Sequence, residues 1–144
     1  MSPMRERAHR EAMQLPLSAI AEKLQEILGQ QITAYAVGVQ DPRAIGKYAR
    51  GEVKKPRGGV DNRLRHLYVI TQILTTRDTA ETIRAWMLGA NPLLEDQAPV
   101  ELLHEENHKP VTRTAQAEAQ PLALVASEAY STVCDAAESF ATAA

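Results

Sequence analysis

Three basic residues at helical spacing, Arg43, Lys47 and Arg50, are the part of this sequence best suited to chemistry with an anionic partner. Residues three or four positions apart on an α-helix lie on the same face, so the three cations form one stripe. An arginine on such a stripe is able to donate two hydrogen bonds to the edge of a guanine, and a lysine contacts a base or a phosphate. The pattern therefore favours binding to double-stranded DNA through the major groove.

The segment that follows this stripe is also basic. Residues 52–59 form a predicted loop, because they contain one proline and two glycines. They also carry Lys54, Lys55 and Arg57, which suit contacts with a phosphate backbone or a narrow minor groove. A solvated connection without a partner is the alternative interpretation, and both stay open.

Charge is segregated along the chain, although the formal net charge is only −2. Residues 41–66 hold eight basic residues against three acidic ones, and residues 78–106 hold seven acidic residues against one basic one. A basic surface attracts phosphate and an acidic surface repels it. We therefore expect one face for DNA and another face for a different partner, such as a protein.

The cation stripe needs a helix whose opposite side is buried, and residues 31–51 predict one. An apolar pattern predicts a short first helix, which ends at Gly38 because glycine turns there without a Cβ penalty. Asp41 suits the N-cap of a second helix, with Pro42 at its first position. The apolar residues of this second helix are Ala44, Ile45 and Tyr48. Two helices joined in this way are typical of helix-turn-helix proteins, but they also occur in α proteins that never touch DNA.

Further amphipathic helices are expected around this pair, because apolar residues recur every three or four positions. They span residues 17–28, 60–74, 78–88 and, after Pro99, 100–106. Residues 1–14 lack a strong apolar repeat, so a frayed polar lead-in is expected there. Leu93 and Leu94 are expected to pack back onto the core, and His66 to be an ordinary surface or capping residue.

The end of the chain divides into a polar stretch and an amphipathic stretch. Residues 107–120 have little to bury and are interpreted as a linker. Residues 121–144 carry apolar residues at spacings of three or four, which predicts an amphipathic helix over most of this tail. Docking on the domain, dimerisation and folding on a partner are open roles for that helix, and so is a partly disordered tail.

Composition favours a small helical protein without enzyme chemistry. Apolar residues make up 44% of the 144 residues and aromatic residues 4%, so an aliphatic core is expected. Cys134 is the only cysteine, which excludes an intrachain disulfide and suits a reducing cytoplasm. No signal peptide or membrane span is expected. The histidines have no metal-ligand spacing with the cysteine. His104 and His108 are four residues apart, as in some zinc sites, but they fall where the last short helix gives way to the linker. No phosphate loop is present either, so no metal, cofactor or catalytic residue is predicted.

Two segments resemble the Xre/MbcA/ParS type of antitoxin, which joins an Xre-like helix-turn-helix to a small toxin-binding helical domain. The first is G-V-Q-D-P-R-A-I-G-K-Y-A-R-G-E at residues 38–52, with Tyr48 where a Trp is usual. The second is A-W-M-L-G-A-N-P-L-L-E-D-Q-A-P-V-E-L-L at residues 85–103, which is similar to the family's Trp, Asn-Pro, Leu, Pro and Leu-Leu sequence. In that family the partner is a RES-domain toxin that consumes NAD, and the C-terminal end of the antitoxin plugs the toxin's active site.

These patterns together predict a compact all-α fold. Its parts are a lead-in (1–14), a helix-turn-helix domain (15–75), an MbcA/ParS-like helical unit (76–106), a linker (107–120) and a tail (121–144). The expected DNA-binding residues are Arg43, Lys47, Tyr48, Arg50, Lys54, Lys55, Arg57 and Arg63. The expected partner-binding residues are Trp86, Asn91, Leu94, Glu101, Val125, Val133 and Phe140.

Three functions follow as hypotheses. The first is a cytoplasmic antitoxin that binds operator DNA, represses its own operon and binds a RES-type toxin, with a homodimer as a further expected assembly. The second is a stand-alone, phage-type repressor without a toxin. The third is a protein-binding module in which the helix-turn-helix serves only as a scaffold.

Overall fold

The chain is helical throughout the computed structural model, which describes residues 2–56, 58–108 and 128–143, and only the backbone at residues 107 and 108. Within these ranges no strand occurs, and a single isolated bridge joins Asn91 and Gln97. The all-α class predicted from the sequence is therefore confirmed. The elements are α1 Pro3–Gln14, α2 Leu17–Ile27, α3 Gln30–Val37, α4 Arg43–Ala49, α5 Val60–Thr75, α6 Ala80–Leu88, a 3-10 turn Pro92–Leu94, α7 Pro99–His108 and α8 Glu128–Thr142.

Helix α5 lies at the centre of the fold. It contacts α1, α2, α3, α6 and α8, and this explains why its sequence is apolar over a wide face. Helices α2, α5 and α6 lie within two residues of the limits predicted from apolar periodicity. The buried side chains of α5 include Leu64, Leu67, Tyr68, Ile70 and Ile73.

The N-terminal segment is an ordered helix, so the prediction of a frayed terminus is wrong. The Ser2 side chain caps α1 by accepting a hydrogen bond from the Arg5 backbone N–H at 3.1 Å. Ala8 and Ala12 are buried on the side that packs against α5. Two alanines four residues apart form a narrow stripe that lets two helices approach closely. A pattern search for large apolar residues does not detect such a stripe.

His66 is buried, so its interpretation as a surface or capping residue is wrong. Its ring stacks on the ring of Tyr130 in α8, with centroids 4.1 Å apart and an interplanar angle of 18°. Burial lowers the pKa of His66 to about 4, with a smaller contribution from the nearby charge of His9. The imidazole is therefore neutral at pH 7 and forms part of the core.

The tail contains a docked helix. Helix α8 packs against α5 and α7. Arg5 of α1 also forms two ion pairs with α8, to Asp135 at 2.5 Å and to Glu138 at 2.9 Å. Of the roles left open for the tail helix, docking on the domain is the one this structure contains. The linker prediction for residues 107–120 falls mostly outside the described residues, although α7 continues to His108.

The connection between α6 and α7 is a compact turn. The Asn91 side-chain oxygen accepts a hydrogen bond from the Leu93 N–H at 2.9 Å, at the start of the 3-10 turn. Leu94 is buried, whereas Leu93 is 61% exposed, so the prediction that both leucines pack inward is wrong for Leu93. Successive side chains of a 3-10 turn are about 120° apart, because three residues complete one turn, so adjacent leucines do not face the same core.

Candidate nucleic-acid interface

The turn between α3 and α4 sets the position of the cation stripe. Gly38 ends α3 in a left-handed conformation with φ of 78°, and the Val39 N–H donates back to the Ala34 carbonyl at 2.9 Å. Asp41 then accepts a hydrogen bond from the Arg43 N–H at 3.0 Å through its side chain. The helix begins one residue later than predicted, but Asp41 still satisfies a backbone N–H at its start.

The inner side of α4 packs closely against α2. Ile45 is fully buried and Tyr48 is 8% exposed. A Cβ on Gly46 would lie 2.9 Å from the Gln30 side-chain nitrogen, which itself donates to Gln25 at 2.8 Å. A residue with a Cβ at position 46 would therefore require the end of the Gln30 side chain to shift. The sequence offered one sign of this close approach, a glycine inside a helical pattern.

The outer side of α4 carries the predicted cations. Arg43, Lys47 and Arg50 are all exposed, and the side chains of the two arginines are 85% and 62% accessible. The structure thus places the three residues together on one open surface. Tyr48, which was predicted with them, lies on the inner side of the same helix instead.

Each of these arginines is paired with a carboxylate two residues away. Arg43 contacts Asp41 through Nε at 3.2 Å and through a terminal nitrogen at 3.3 Å. Arg50 donates to Glu52 at 3.1 Å. The hydrogen bonds from the arginines lower the pKa of the Asp41 and Glu52 carboxyl groups, and the charge of Lys47 lowers both pKa values further. Both acids are therefore ionised at neutral pH.

The remaining predicted cations differ in their accessibility. Lys54 and Lys55 are exposed in the loop after α4, whereas Arg57 lies outside the described residues. Arg63 is half-buried: its Nε has no hydrogen-bond partner among the described residues, and burial lowers its pKa. Arg65 has a structural role, since it binds Asp61 at 2.8 Å and donates to the Leu15 carbonyl at 2.8 Å.

The predicted partner-binding residues do not form one surface. Asn91, Leu94 and Val133 are buried within the chain's own core. Trp86 and Phe140 are half-buried and lie against each other, with ring centroids 6.0 Å apart. Glu101 is exposed and accepts a hydrogen bond from the Tyr35 hydroxyl at 2.8 Å, and Val125 lies outside the described residues.

Two exposed leucines in the acidic half were not predicted from the sequence. Leu88 is 58% exposed at the end of α6, and Leu93 is exposed in the 3-10 turn. The acidic side chains of Glu95, Asp96 and Glu101 are also exposed in this half. No sequence signal distinguishes these leucines from buried ones, because both lie in apolar segments.

Helices α3 and α7 connect the basic and acidic halves. The Tyr35 ring stacks on His104, with centroids 3.8 Å apart and planes 7° apart, and His104 Nδ1 lies 2.9 Å from the Tyr35 carbonyl oxygen. The hydrogen bond to Glu101 raises the pKa of Tyr35. The helix that precedes the turn is thereby fixed to the acidic half.

The described residues contain no group of three or more His, Cys, Asp or Glu that is placed to bind a metal ion. The side chain of His108, which lies four residues from His104, falls outside this description. Burial raises the pKa of the Cys134 thiol to about 11, so the thiolate is scarce at neutral pH.

Within the same ranges no helix combines the length and the hydrophobicity needed to span a membrane. Comparison of the chain with protein-family models, curated proteins and solved structures finds no match.

Proposed function

We propose that this protein is a sequence-specific, double-stranded DNA-binding transcriptional regulator in which α3, the Gly38 turn and α4 act as a helix-turn-helix. One observation carries the proposal: α4 buries Ile45 and Tyr48 on one side and exposes its arginines on the other. A helix packed in this way can bind a partner through its exposed side while its buried side keeps its contacts with the rest of the domain. The cations on that side suit the edges of guanine bases and the phosphates beside them.

The dimensions of α4 are compatible with a major groove. An α-helix with its side chains is about 10–12 Å in diameter, and a major groove about 12 Å wide admits it. The seven residues of α4 would occupy about 10 Å of that groove at 1.5 Å per residue. The exposed Lys54 and Lys55 follow directly and would lie along the phosphate backbone. The helix would supply sequence preference, and the loop would supply affinity that depends on salt.

The experiment is a fluorescence anisotropy titration of the full chain against DNA taken from upstream of its own gene and against a shuffled duplex. Replacing Arg43 with Ala should cost about 1–3 kcal/mol on the cognate site. The matched control is Arg77→Ala, since Arg77 is exposed at the far end of α5. If Arg43→Ala and Lys47→Ala both bind as tightly as the wild type, α4 does not contact the bases.

We further infer that the acidic half binds a protein, which on the antitoxin hypothesis is a RES-type toxin. The exposed Leu88 and Leu93 support this inference, because exposed apolar side chains in a half of the chain that is rich in acidic residues suit a partner with apolar and basic residues. The resemblance at residues 85–103 supports the same hypothesis. The basic half would then bind operator DNA, and the acidic half would bind the protein partner.

Co-expression with the product of the adjacent gene tests this second part. Leu88→Ser and Leu93→Ser should abolish co-purification and leave DNA binding intact, since both side chains are exposed. The matched control is Met13→Ser, which alters an exposed apolar residue on α1. If no neighbouring product binds the wild-type chain, the stand-alone repressor replaces the antitoxin. A chain that binds this product but no DNA would be a protein-binding module.

A further inference from the structure

Carboxylates occupy both ends of the proposed recognition helix. Asp41 precedes α4 and forms an ion pair with Arg43, the first residue of the helix. Glu52 follows α4 and forms an ion pair with Arg50, the C-cap residue. Residues 41–52 therefore carry three cations and two anions, a net charge of only +1. The two lysines and one arginine of residues 53–59 contribute more net positive charge than the helix does.

The geometry leaves each arginine able to bind a base while it is paired. Asp41 occupies Nε and one terminal nitrogen of Arg43, and Glu52 occupies one terminal nitrogen of Arg50. A guanidinium has five N–H donors, so donors remain for the O6 and N7 atoms of guanine. Guanine is neutral, and a carboxylate beside it meets no like charge.

A phosphate in the same position would be an anion next to an anion. To bind it closely, Arg43 must release Asp41 or accept a repulsive contact between the carboxylate and the phosphate. An exposed ion pair is worth little, so the penalty is moderate, but it applies at both ends of the helix. Contacts to phosphate are those that every DNA sequence offers.

We propose that Asp41 and Glu52 are specificity-determining residues, which weaken binding to non-cognate DNA by opposing phosphate contacts of Arg43 and Arg50. This inference rests on the proposed DNA-binding function. It assigns sequence-independent affinity to the exposed Lys54 and Lys55 and sequence preference to the paired Arg43 and Arg50.

The test uses conservative variants of the full chain. Asp41→Asn removes the charge but keeps a side-chain oxygen that can accept the hydrogen bond from the Arg43 N–H, which Asp41 accepts at 3.0 Å. Glu52→Gln likewise removes the charge of the carboxylate at the other end and keeps a side-chain oxygen that can accept from Arg50. The matched control is the double variant Glu81→Gln/Glu95→Gln, which makes an identical change of net charge at two exposed acids of the acidic half. Circular dichroism melting establishes that all variants fold alike.

The DNA probe is a duplex selected by the wild-type chain from a random-sequence pool, together with a shuffled version of it. The double variant Asp41→Asn/Glu52→Gln should bind the shuffled duplex about 2- to 30-fold more tightly than the wild type, on the basis of two exposed ion pairs. Its binding to the shuffled duplex should also depend more steeply on salt, by up to about 1.8 in the slope of log K against log salt concentration. Affinity for the selected duplex should change less, so the specificity ratio falls.

The single variants provide a positional readout. Selection repeated with Asp41→Asn should lose base preference at one end of the site, and selection with Glu52→Gln at the other end. Unchanged discrimination in the double variant, or an equal loss in the control pair, would overturn the inference while the proposed function stands. If the wild-type chain enriches no sequence and binds no duplex at low salt, the proposed function itself fails.

Discussion

Replacing Val133 with alanine tests whether α8 belongs to the folded core. Val133 is fully buried, and α8 packs against α5 and α7. If the helix were an appendage that orders only on a partner, removal of two methyl groups from it would leave the stability of the domain unchanged. If it completes the core, the substitution should destabilise the whole chain.

The size of the effect follows from the methyl groups removed. Two buried methyl groups are worth about 1.6 kcal/mol of transfer free energy. A cavity of about 50 Å³ that fails to collapse adds about 1 kcal/mol at 24 cal/mol per Å³. Alanine has the better helix propensity, which returns roughly 0.5 kcal/mol. The expected loss is therefore about 1–2 kcal/mol, or a decrease of about 3–8 °C in Tm for a chain of this size.

Urea denaturation followed by tryptophan fluorescence is the assay. Trp86 is the only tryptophan in the sequence, and its ring lies 6.0 Å from Phe140 in α8, so it reports on the contact between α6 and the tail helix. Ser139→Ala is the control, because Ser139 is exposed on the same helix and should be neutral or slightly stabilising. A Val133→Ala chain with the wild-type midpoint would refute the assignment of α8 to the core.

Three further predictions concern the loop, a buried histidine and a close helix approach. Replacing Lys54 and Lys55 with glutamine should weaken binding to the cognate and the shuffled duplex equally. The slope of log K against log salt concentration should become shallower by about 0.9 for each phosphate that is no longer neutralised. A loss of affinity confined to one base position would contradict this role. Burial lowers the folded-state pKa of His66 to about 4, below the unfolded value near 6.5. As the pH decreases, the unfolded chain therefore binds a proton at this histidine before the folded chain does. The contribution of neutral His66 to the free energy of unfolding is fully present above about pH 6.5 and should fall by up to about 3 kcal/mol as the pH decreases toward 4. His66→Phe should remove this dependence in urea titrations across that range, and a pH profile unaltered by the substitution would contradict the prediction. Gly46 is buried, so Gly46→Val should cost about 1–3 kcal/mol by overpacking. The atom nearest to the new Cβ would be the end of the Gln30 side chain, at 2.9 Å, so a second substitution, Gln30→Ala, should recover part of that stability in thermal melts. Full additivity of the two substitutions would show that the two positions do not interact.

The sequence predicts the helices that bury large aliphatic side chains and misses those that bury small ones. The limits of α2 and α5 follow from leucine and isoleucine at helical spacing. Helix α1 buries only Ala8 and Ala12, and alanine is common both on exposed helix surfaces and between closely packed helices. His66 could not be placed either, because its burial depends on Tyr130, which is distant in sequence and belongs to a helix whose role was open.

The sequence predicts the positions of the cations of the candidate interface, but it does not predict that carboxylates pair with two of them. Arg43, Lys47 and Arg50 lie on one exposed face because their spacing matches the helical period. Their pairing with Asp41 and Glu52 does not follow from that period, since residues two apart on a helix point in different directions. Both acids lie just outside α4, where the backbone leaves the helix and brings their side chains back to the arginines.

The basic and acidic halves share one hydrophobic core. For this reason their functions should be tested separately by point substitutions and not by truncation. Buried residues from α1 to α8 belong to a single cluster, in which Val133 of the tail and Leu103 of α7 are included with Ile45 of α4. A truncation after α7 would therefore uncover apolar surface on α5 and α7 that α8 covers. If such a chain failed to bind its partner, the result would not distinguish the loss of a binding surface from damage to the core. Point substitutions at the exposed Leu88 and Leu93 leave that core intact, so an effect of these substitutions on a protein partner would report on the surface alone.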